Sequence, residues 1–84
     1  MEFVKEELES RYLDLNEENR LKLWQRFASF LNDYELKICM NEVKKGNRDL
    51  FAIHFTNGYI QKYQIYFNQV LGSLEEEEDY GRNS

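Results

Sequence analysis

The sequence predicts an α+β fold: N-terminal helices packed on a three-stranded antiparallel β-meander, ending in a short C-terminal acidic helix or a disordered acidic tail. Three observations predict it. Asn57-Gly58 lies between two aromatic runs, residues 50–55 and 59–67, which is the pattern of a β-hairpin. Leu36, Ile38 and Met40 alternate with Lys37, Cys39 and Asn41, the period of a half-buried strand. Leu23, Trp24, Phe27, Ala28 and Leu31 recur at three and four residues, the apolar face of a helix.

Taken in order, residues 1–16 hold the first helix. Val4, Leu8, Tyr12 and Leu15 make its apolar stripe over segment 3–13, opposite a Glu-rich face. Residues 17–33 form the main helix. Asp14 or Asn16 caps it, and Glu17 and Glu18 lie at the positive end of its dipole. Asn32-Asp33 ends it.

Residues 34–71 carry the sheet, with strands over 34–44, 50–55 and 59–67. Lys44 to Arg48 form a turn centred on Gly46-Asn47. In the second hairpin, a three-residue loop with Gly58 left-handed opposes Phe55 to Tyr59 and Phe51 to Tyr63. That register gathers more apolar surface than the two-residue loop, which pairs apolar with polar rows. In the first hairpin, Met40 opposes Ile53 and Ile38 opposes Phe55. Both hairpins then converge on one inner face, covered by the main helix. The outer face is half apolar, and Val43, Leu50, His54, Ile60, Lys62 and Tyr66 on it form a candidate contact surface. In residues 72–84, Ser73 and Glu76 have capping-box spacing, so a helix over about 74–80 starts there and stops near Gly81. The alternative is a disordered acidic tail.

With 84 residues the chain reads as one small domain with a thin core. Cys39 is the only cysteine and His54 the only histidine, which rules out an intrachain disulfide and a zinc site of the usual type. No cofactor motif is present: the four glycines stand apart, and no phosphate loop, GxSxG elbow, HExxH pair or calcium loop occurs. No signal segment or membrane span is visible, and a lone thiol fits a reducing compartment, so the chain is expected in the cytoplasm of a bacterial cell or a phage-infected host.

Net charge is −5, unevenly spread. Residues 1–20 carry seven acids and three bases, residues 74–84 five acids and one base, and residues 21–73 four acids and seven bases. Lys44, Lys45 and Arg48 are too few to hold nucleic acid directly against the acidic ends. The predicted register puts His54 opposite Cys39, but a thiolate nucleophile needs an orienting acid, and none is near. No catalytic residue is assigned.

The expected function is therefore that of a small, acidic, non-enzymatic protein-binding module. In class it is similar to phage-encoded inhibitors of nucleases and DNA-repair enzymes, small acidic α+β proteins that imitate DNA charge. Under that reading Glu75, Glu76, Glu77, Glu78 and Asp79, with Glu6 and Glu9, enter a basic cleft of a larger enzyme, and Tyr80 is the aromatic anchor. The alternative is a self-associating assembly protein that forms a homodimer through the outer sheet face.

Overall fold

A computed structural model of the chain describes residues 5–82. Six helices follow one another: α1 Lys5–Asp14, α2 Glu17–Ala28, α3 Asp33–Lys44, α4 Leu50–Thr56, α5 Tyr59–Lys62 and α6 Gln64–Arg82. Among the described residues there is no strand. The predicted α+β fold and its three-stranded meander are therefore corrected to an all-helical fold.

The first two helices form within the segments periodicity marked, the second stopping at Ala28. Val4 of the predicted stripe lies outside the described residues. Asn16 caps α2, its side chain accepting from the Asn19 amide at 2.8 Å.

The three predicted strands are helices for an identifiable reason. The main helix does not reach Asn32-Asp33: α2 ends at Ala28, with Ser29 as its C-cap, and Asn32 starts α3. Its side chain accepts from the Glu35 amide at 2.9 Å, and Glu35 Oε1 accepts from the Asn32 amide at 3.0 Å. This capping box satisfies two orphan donors and commits the following residues to helix. Asp49 does the same for α4 by accepting from the Ala52 amide at 3.1 Å. The turns are real, but they are helix stops rather than hairpin loops. Gly46, at φ 103°, ends α3: its amide bonds to Val43 O and the Asn47 amide to Glu42 O, the paired bonds of a Schellman motif. Gly58, at φ 81°, follows α4, with its amide bonded to Phe55 O. A left-handed glycine serves a helix end as well as a hairpin.

The acidic tail is helical, but not as a separate element. Ser73 caps nothing, because α6 runs through it from Gln64 and past Gly81. Phe67, Leu71 and Leu74 on its inner side are fully buried. Helix α2 lies antiparallel along α6: Asn19 reaches Glu78, Phe27 meets Phe67 edge-on at 5.4 Å, and Phe30 stacks on Tyr66 at 4.3 Å. Helix α1 touches α6 through Arg11 and Glu75 and α2 through Tyr12, whose hydroxyl accepts from Trp24 Nε1 at 3.0 Å; Leu8, and Leu15 just after the helix, are buried. Helix α4, apolar all round, puts Phe51 and Ile53 into the same core. Each fully buried Leu or Phe stabilises the fold by roughly 1.5–3 kcal/mol.

Candidate functional site

The five predicted tail acids divide into two groups. Glu75, Glu77 and Glu78 hold the helices together. Glu75 receives a forked pair from Arg11, with Nε at 3.0 Å and Nη2 at 2.5 Å. This contact holds the guanidinium above its ordinary range, chiefly by the hydrogen bond and against the desolvation that accompanies it. Glu78 accepts from the Asn16 amide at 3.2 Å and from Asn19 Nδ2 at 3.1 Å, so its charge sits at the positive end of α2. Glu77 lies 3.7 Å from Arg26. These contacts turn the carboxylates toward α1 and α2.

Glu76, Asp79 and Tyr80 face outward within about 100° of arc. Glu76 and Asp79 make no ion pair with any described residue, and Tyr80 is 84% exposed. Asp79 also borders a cleft between α1 and α6 lined by Asp14, Glu75 and Glu78, with Arg11 the base in its wall. Glu6 and Glu9 do not join this face. They lie about 140° and 160° around α1 from Arg11, on the side turned away from α6.

The predicted outer sheet face does not exist, because α3, α4, α5 and α6 replace its strands. His54 and Ile60 are buried in the core. Tyr66 stacks on Phe30, and Lys62 Nζ bonds Glu35 at 2.9 Å. Val43, Leu50 and His54 do come together, in an apolar groove of about 290 Å³ between α2, α3 and α4. Its walls also include Trp24 and Met40, the latter 57% exposed.

Cys39 and His54 meet, though through helices rather than strands. Cys39 Sγ lies 3.6 Å from His54 Nδ1. The His54 ring stacks on Trp24 at 4.7 Å. Burial pushes the imidazole down to about 4 and, with Glu35 and Glu42 adding to it, pushes the thiol up. Both shifts favour the neutral forms, so the pair is a thiol against a neutral ring and not a thiolate–imidazolium pair.

No family model, no curated protein and no solved structure matches this chain.

Glu35 is the polar residue that sequence reading missed. It is 4% exposed, and it ties α3 to α5 and the residue that follows it. Besides closing the capping box, its carboxylate accepts from Lys62 Nζ at 2.9 Å and Tyr63 OH at 2.8 Å. Burial opposes its ionisation, but the donors outweigh burial and hold the carboxyl below its ordinary range. The spacing Asn32-x-x-Glu35 was the available signal. Among the described residues no group of three or more His, Cys, Asp or Glu is placed to hold a metal ion, and no helix is long and apolar enough to cross a membrane.

Proposed function

We propose that the protein is a non-enzymatic binding module of the cytoplasm. It recognises a basic surface of a larger protein through the outward face of α6 and acts as an inhibitor or regulator of a nucleic-acid-acting enzyme. The observation that carries this reading is the pairing pattern of the acidic segment. Glu75, Glu77 and Glu78 are spent on the fold, while Glu76 and Asp79 face outward with no ion pair among the described residues, beside the exposed Tyr80. An aromatic side chain beside unscreened carboxylates supplies an anchor and a charge complement to a basic cleft. The recognition element is narrower than five consecutive acids, and it excludes Glu6 and Glu9.

The test is affinity capture by the intact chain at low and high salt, alongside its solution mass. A basic partner should be held at low salt and released at high salt, since exposed charges are screened within about 10 Å at 0.1 M. The triple variant Glu76→Lys, Asp79→Lys, Tyr80→Ala should lose that partner and keep its helical circular dichroism. Capture that survives this variant, or a salt-stable homodimer with no partner, overturns the reading, and the dimer favours self-association instead.

A further inference from the structure

Away from α6, a second hollow adjoins the apolar groove. The apolar half, of about 290 Å³, is bounded by Leu36, Cys39, Met40 and Val43. The second half, of about 200 Å³, is bounded by Tyr12, Glu17, Arg20, Leu21 and Arg48. Trp24 and Leu50 belong to both and form their common wall. The surface is therefore apolar on one side of this wall and cationic on the other.

Two features of the cationic end call for an acceptor. Arg20 Nε is buried without a hydrogen-bond partner among the described residues, a costly state for a charged donor. Arg20 and Arg48 both line the hollow, and neither has a carboxylate within ion-pair distance among the described residues. Glu17 is the acid in that wall, and it too forms no ion pair there. At the apolar end Lys44 adds a further positive charge at the rim. Mostly apolar walls with a few convergent polar groups are the usual make-up of a small-molecule site.

We infer that the two adjoining hollows together bind a single-chain anionic amphiphile, a long-chain carboxylate whose chain lies over Leu50 between Trp24, Met40 and Val43 and whose headgroup is held by Arg20 and Arg48. Guanidinium forks match a carboxylate bidentately, and the bound anion turns the Arg20 side chain outward and provides Nε with the acceptor it lacks. The chain covers the exposed Met40 and the half-buried Leu50. The inference does not depend on the α6 face.

Trp24 is the only tryptophan, so its emission reports directly on the groove. The probes are dodecanoate below its micelle concentration, dodecan-1-ol, and dodecyltrimethylammonium. Dodecanoate should give a saturable change and bind about tenfold tighter than the alcohol, the worth of one charge-assisted contact. The double variant Arg20→Gln, Arg48→Gln should bring dodecanoate down to the level of the alcohol and leave the alcohol unchanged. Met40→Glu with Val43→Glu should weaken both. Glu76→Lys with Asp79→Lys should alter neither, which separates failure here from failure of the α6 reading. If the glutamine pair does not melt cooperatively, Arg20→Lys with Arg48→Lys replaces it and should give an intermediate loss. No saturable change, equal binding of the cationic amphiphile, or full dodecanoate affinity in the arginine variants overturns the proposal.

Discussion

His54 has Trp24 flat against it at 4.7 Å and Phe27 edge-on at 5.4 Å. Burial alone lowers its pKa from 6.5 to about 4. Between those values the unfolded chain binds a proton that the folded chain refuses. Stability should therefore fall as pH drops through that window and level off below it, by roughly 3 kcal/mol in total. His54→Phe should flatten that limb in denaturant titrations across the window, and an unchanged slope would refute the assignment. Glu35 acts at lower pH. Its folded-state pKa is depressed, so its contribution is complete above the ordinary carboxyl range and is lost as pH falls through the folded value. Glu35→Ala removes the acceptor for Lys62, Tyr63 and the Asn32 amide at once, and should cost about 2 kcal/mol. Tyr63→Phe, which removes one donor, should cost less than half of that. If the two variants were equally stable, the carboxylate would not be the centre of the network.

At the scale of elements, α6 is both a wall of the core and the carrier of the proposed binding face. Leu74 is 0% exposed, Glu75 clamps Arg11 and Glu78 caps α2. Truncation after Ser73 removes all three. Loss of Leu74 alone should cost about 2–5 kcal/mol, so the truncated chain should melt far lower in thermal circular dichroism. A truncated chain as stable as the full one would show the tail to be an independent appendage. The helical character of this segment was legible in Phe67, Val70, Leu71 and Leu74, which continue one stripe at spacings of three and four. The aromatic, β-branched content of residues 59–67 masked it. The same conflict arose in residues 34–44, where Leu36, Ile38 and Met40 alternate while Leu36, Cys39, Met40 and Val43 recur at helical spacing. Short apolar runs satisfy both periods, and caps decide between them. Asn32 with Glu35, and Asp49 before Leu50, were the deciding residues.

On the scale of the whole molecule, the chain is a set of short helices joined by tight turns, so many of its contacts are local. Such folds form in microseconds to milliseconds. The chain contains no proline, so no X-Pro isomerisation can delay it. Refolding should be complete within milliseconds, without a slow phase. A phase lasting seconds would point to misassembled helices or to self-association.

The sequence by itself determined the first two helices, a cap at Asp14 or Asn16 before the second, the glycine-marked turns at Gly46 and Gly58, and the segregation of acids toward the two ends. Each of these is a local matter of side-chain period, capping chemistry or backbone φ. The period of residues 34–67 left strand and helix open, because a short apolar run serves as either element, and the caps at Asn32 and Asp49 tip it to helix. Only the tertiary structure decided that Glu75, Glu77 and Glu78 brace the fold while Glu76 and Asp79 make no ion pair with any described residue. Adjacent acids on a helix point about 100° apart, and which of them meets a partner depends on the helices packed alongside.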